Sequence, residues 1–114
     1  MEIVNKKLLV KFKKKNKGNI SLCKAIDNLL NEFETKNWFN HEELKKDRPD
    51  ADKVHNDGFY FFDLNVHRTM VLIEFDETGE ASIVWCGTHQ EYEKLFKNNK
   101  LSIGKWLKAN GWII

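Results

Sequence analysis

Two apolar runs, "FYFFDL" at 59–64 and "TMVLIEF" at 69–75, stand only four residues apart, and this spacing restricts the fold more than any other feature of the chain. Both runs are rich in aromatic and branched side chains, and "NVHR" between them is long enough only for a turn, so they predict an antiparallel hairpin. Turn signals bracket the pair: "NDG" at 56–58 precedes it and "DETGE" at 76–80 follows it. A third strand over 81–86 then makes an antiparallel meander.

Before Pro49 the period is helical. A short strand at Ile3 and Val4 leads into a helix with Leu8, Leu9 and Phe12 on one side, which Gly18 ends. From Leu22 to Phe33 the residues Leu22, Ala25, Ile26, Leu29, Leu30 and Phe33 recur at the spacing of one helical face. Asn40 with Glu43 three residues on predicts the capped start of a short helix through Lys46, which Pro49 stops. Helices first and a meander second predict an α+β fold, with the N-terminal helices packed on one face of a three- to four-stranded antiparallel sheet. Ile103, Trp106 and Leu107 add a short C-terminal helix, ended by Asn110 and Gly111. The final Trp112, Ile113 and Ile114 are too apolar to stand free in water, so they dock on the body or cover a partner surface.

At 114 residues and 41% hydrophobic content, the chain is long enough for one modest core. Its net charge of +2 conceals a polarised arrangement: seven lysines against one acid in 1–18, two bases against seven acids in 51–80, and five lysines against two acids in 81–114. Cys23 and Cys86 are too few and too far apart for a disulfide framework or a zinc site, which suits a reducing compartment. A charged amphipathic start and the lack of a long apolar run predict neither signal peptide nor membrane span, and so a cytoplasmic protein.

The stretch "GTHQEY" at 87–92 follows the third strand. Thr88 and Glu91 fit a capping box, Gly87 permits a sharp exit from the strand, and Tyr92 with Leu95 or Phe96 provides a buried side. That account has no need of the His89 imidazole or of the Tyr92 hydroxyl: the two residues place an imidazole and a phenol on one face of the first helical turn. His67 and Arg68 near the hairpin turn, with Lys53 and His55 before it, complete a set suited to cleaving RNA through its own 2′-hydroxyl. Such a reaction takes a base, a cation on the phosphate and an acid for the leaving oxygen, with no metal or other cofactor. Tyr92 or His89 is the candidate acid, His67 or His55 the candidate base, and Arg68 with Lys53 the candidate phosphate-binding pair; Lys94 adds a further candidate RNA contact.

In order, "DADKV" at 50–54, "FDL" at 62–64 and "GTHQEY" at 87–92 after an apolar strand resemble the HigB-type toxins of bacterial toxin–antitoxin pairs, a branch of the RelE-like superfamily. The resemblance covers roughly residues 3–96, treated as the toxin domain 1–96, with 97–114 as a docked helical extension. It implies a ribosome-dependent mRNA endonuclease held inactive by a helix-turn-helix antitoxin in a hetero-oligomer, with ribosome and mRNA as further partners. It carries Gly87 and Thr88 over as structural, His89, Glu91 and Tyr92 to the active surface, and Lys53 to phosphate. The family's series of asparagine, lysine, aromatic and arginine in the second hairpin strand is here His67, Arg68, Thr69 and Met70. Arg68 replaces the missing arginine only through a two-residue shift or a bulge; otherwise lysines from elsewhere hold the phosphate, or the chain is a catalytically weak or inactive binding module acting through protein partners.

Overall fold

A computed structural model describes residues 1–114. In chain order the elements are β1 (Glu2–Val4), α1 (Lys7–Lys15), α2 (Ile20–Thr35), α3 (His41–Asp47), β2 (Asp52–His55), β3 (Phe59–Leu64), β4 (His67–Glu74), β5 (Glu80–Gly87), α4 (His89–Phe96) and α5 (Lys100–Ala109). The class is α+β, as the sequence predicts, but the sheet has five strands rather than three or four, in the order β1-β5-β4-β3-β2. The two edges are β2, which pairs antiparallel with β3, and β1, the short strand expected at Ile3 and Val4, which pairs parallel with β5. With only 3 and 4 residues, they carry little periodicity of their own, and the edges of the central meander recruit them.

Leu64 pairs with His67, so the hairpin turn is Asn65 and Val66 alone. Asn65 adopts a left-handed conformation at φ 62°, which a two-residue turn between twisted strands requires and asparagine tolerates. The strand therefore starts two residues earlier than the apolar run, and His67 and Arg68 become members of the ladder.

Successive residues of β3 alternate between two cores. Tyr60, Phe62, Val71, Ile73 and Ile83 meet Leu9 of α1 and the Leu22, Ile26, Leu29 and Phe33 face of α2. Phe59, Phe61, Met70 and Val84 meet Tyr92, Phe96, Ile103 and Leu107 from α4 and α5. The N-terminal helices do cover one face, and the C-terminal pair covers the other. A strand buried on both sides needs no polar alternation, which is why "FYFF" is continuously apolar. A bulge sits in β5: Met70 is opposite Trp85 but Val71 is opposite Ile83, leaving Val84 as the extra residue.

The apolar tail docks. Trp112 packs edge-on against Phe59 with ring centres 6.4 Å apart, and Ile113 joins the same cluster, while Ile114 remains exposed. At the opposite flank Arg48 bridges Glu32 of α2 at 3.0 Å and Asp50 at 2.8 Å. Asp50 in turn accepts from the Asp63 amide at 2.9 Å, which anchors the end of β3 that reaches the hairpin turn.

Candidate active site

The C-terminal end of β5 and the hairpin turn lie at the same end of the sheet, so α4 begins beside the start of β4. Its capping box is complete: Thr88 Oγ1 accepts from the Glu91 amide at 3.1 Å, and Glu91 Oε1 accepts from the Thr88 amide at 3.0 Å. The Thr88 amide is the main reason the Glu91 carboxyl lies below its ordinary range, and the positive charge of Lys15 adds to it. Gly87 is needed for space rather than for an unusual turn. Its φ is not positive, yet an added Cβ would fall 2.5 Å from Trp85 Cζ2.

Arg68 pairs across the sheet with Asp63 on one side and Gly87 on the other. Its guanidinium carbon lies 4.6 Å from the Tyr92 ring centre and 5.8 Å from that of Phe61, and its Nε is 3.4 Å from Asp63 Oδ1. Met70, two residues further along the same face, is fully buried in the second core. Arg68 thus presents a cation on the face that Met70 occupies, one step closer to the turn, and the bulge of β5 leaves the alternation of β4 intact.

Tyr92 is only 3% exposed. Its hydroxyl donates to Asn98 Oδ1 at 2.9 Å, and burial raises its pKa above the ordinary phenol value even though Arg68 opposes the shift. His89 stacks on the Tyr92 ring with centres 6.1 Å apart and planes at 25°, and its Nε2 is 3.4 Å from Glu93 Oε1. His67 meets the ring of Phe12 edge-on at 6.0 Å. Its Nδ1 is buried with no hydrogen-bond partner, so nothing within the fold fixes which ring nitrogen carries the proton.

Three of the predicted residues, His67, Arg68 and His89, line one cleft of about 400 Å³ together with Asp63, Asn65 and Val66. Tyr92 lies beneath two of them. Lys53 and His55 are elsewhere, lining a separate hollow of about 290 Å³ with Lys100. His55 pairs with Phe59, four residues along β3 from Asp63, so roughly 13 Å separates the two places. Lys94 is exposed on α4 and does not line the cleft. Three contributors escape the sequence analysis: Asp63, Asn98 and Phe12. Asp63 had a signal, being the one charged residue in "FYFFDL". No three His, Cys, Asp or Glu side chains converge in a metal-binding arrangement, and no helix is long and apolar enough to cross a membrane.

A comparison with curated proteins returns no match. A protein-family comparison matches residues 23–95 to the HigB toxin, described as the RelE-like toxic component of a toxin–antitoxin system. The matched segment runs from α2 into α4 and contains every residue that lines the cleft. The chain therefore belongs to the HigB family of RelE-like toxins and is the toxic component of a toxin–antitoxin system.

Proposed function

We propose that this toxin is an endonuclease that cuts messenger RNA in the cytoplasm, on the ribosome, through the RNA's own 2′-hydroxyl, and that a helix-turn-helix antitoxin neutralises it. The observation that carries this reading is that His67, Arg68 and His89 all line one cleft at the turn end of the sheet. His67 takes the proton from the 2′-oxygen, which attacks the adjacent phosphorus. Arg68 stabilises the additional negative charge, and His89 protonates the departing 5′-oxygen, leaving a 2′,3′-cyclic phosphate and a 5′-hydroxyl. Asp63 and Tyr92 hold the guanidinium in place. Tyr92 is assigned as a platform rather than the acid, because its hydroxyl is buried and engaged by Asn98.

Support for RNA as the substrate comes also from the surroundings. Phe12 brings the basic end of α1 against His67, and Lys13, Lys14 and Lys15 form that helix's last turn, a favourable approach for a polyanion. Induced expression should arrest growth and shorten translated messages, and purified toxin should cut mRNA bound to translating ribosomes. His67→Ala and His89→Ala should abolish both effects while leaving the fold intact. Normal growth with intact transcripts, or cleavage unchanged in both variants, would refute the assignment.

A further inference from the structure

The end of the sheet opposite the cleft carries a pocket of different character. It has a volume of about 490 Å³ and lies between the α2–α3 connection and the turns at 56–58 and 75–79, the length of β3, roughly 17 Å, away from the cleft. Aromatic rings form its wall. His41 stacks on Tyr60 with planes at 24° and places Nδ1 2.7 Å from the Tyr60 hydroxyl, while Phe75 meets Tyr60 edge-on at 6.3 Å. Phe39 stands at the mouth, 57% exposed, an unusual position for a large apolar ring.

The rim is acidic. Asp57, Glu74 and Asp76 face a single lysine, Lys53, and neither Glu74 nor Lys53 has an ion-pair partner. Glu42 adds negative charge close to the Tyr60 hydroxyl. An aromatic wall and a carboxylate rim both attract a cation on an otherwise apolar stem, and both repel a phosphate. RNA therefore suits the cleft and not this end.

We propose that the pocket seats an arginine or lysine side chain from a basic segment of the antitoxin, the protein partner this family implies. Phe39 would pack along the stem and the rim would face the charge, with the cleft left uncovered. The assignment does not depend on RNA cleavage.

Two measurements test it. The full-length isotope-labelled protein is titrated with a nine-residue arginine-rich peptide, a glutamate-rich peptide of the same length and an RNA decamer, and amide resonances are followed. The arginine peptide alone should shift Phe39, His41, Asp57, Glu74 and Phe75 saturably, less so as salt is raised. Phe39→Ser combined with Glu74→Lys should weaken that binding by about tenfold. Phe39 is exposed and Glu74 faces Glu80 across the sheet, so neither change removes a supporting contact. Shifts that are absent or scattered, or that the RNA produces at this end, would overturn the proposal. In cells the double variant should still arrest growth but escape neutralisation by the antitoxin encoded beside it; unchanged neutralisation would overturn it too. If the unaltered toxin fails to arrest growth, the nuclease reading fails and the titration still decides the pocket.

Discussion

Arg68 rests on Tyr92: its guanidinium carbon is 4.6 Å from the centre of the phenol ring, and His89 stacks on the same ring. A single buried aromatic therefore sets the positions of two of the three groups proposed to act on the phosphate. Tyr92→Phe keeps the ring and removes only the bond to Asn98, so ribosome-dependent cleavage should remain within a few-fold of the parent. Tyr92→Ala should lose about a hundredfold or more, because the cation is no longer held. Equal losses in both variants would make the hydroxyl itself the acid.

The arginine has a narrow tolerance. Arg68→Lys keeps the charge but loses the planar fork that lies over the ring and reaches Asp63 through Nε. Its single-turnover cleavage rate should resemble that of Arg68→Ala more than that of the parent.

Met70→Arg puts an arginine where the sequence resemblance expects one and should nevertheless fail to raise activity. Met70 is fully buried among Phe61, Val84 and Phe96, so an arginine there places an unpaired charge in the second core. A loss of at least about 3 kcal/mol in denaturant unfolding is expected. A folded and more active variant would show that the strand can slide to bring position 70 into the cleft.

The α4 cap makes the active end acid-sensitive. The Glu91 carboxyl is lowered from its ordinary 4.5, so its contribution is full above that value and is lost as pH falls through the lower folded one. Helical signal from α4 should fray first below about pH 4.5, visible as early hydrogen exchange at Thr88 and Glu91, whose amides the cap engages. Thr88→Ala should cost about 1 kcal/mol yet leave most of that acid dependence in place, because the amide of residue 88 remains, whereas Glu91→Gln should remove it.

At Gly87 the prediction concerns space. Gly87→Ala drives a methyl group into the Trp85 ring, which is itself packed against Phe61 and Phe96, and comes within 3.3 Å of Glu91 Oε1. A destabilisation of about 1–3 kcal/mol is expected by thermal unfolding, and Trp85→Leu in the same chain should recover part of it.

What could be read from the sequence followed from periodicity. The face of α2 and the strands β3 and β4 each repeat a signal over enough residues to be unmistakable, whereas β2 exists only because a finished meander offers its edge. His67, Arg68 and His89 were legible as a group because a hairpin turn and the end of a neighbouring strand must fall at one end of an antiparallel sheet. Lys53 and His55 were near them in sequence order but not in space, since the register of an edge strand decides their place. The link from Tyr92 to Asn98 was hidden for another reason: it depends on consecutive left-handed residues, Lys97 and Asn98, that reverse the chain after α4.

The parallel pairing of β1 with β5 bears on how the toxin comes into being. Asn5 Nδ2 donates to the carbonyl of Ile83, 78 residues later, so during synthesis β1 has no partner until nearly all of the sheet has followed it. Closure of that edge is a late, long-range event in folding. His89, beyond β5, emerges later still. The cleft is thus absent from every shorter nascent chain, and a ribosome making this toxin completes the sheet before the growing product has a formed cleft.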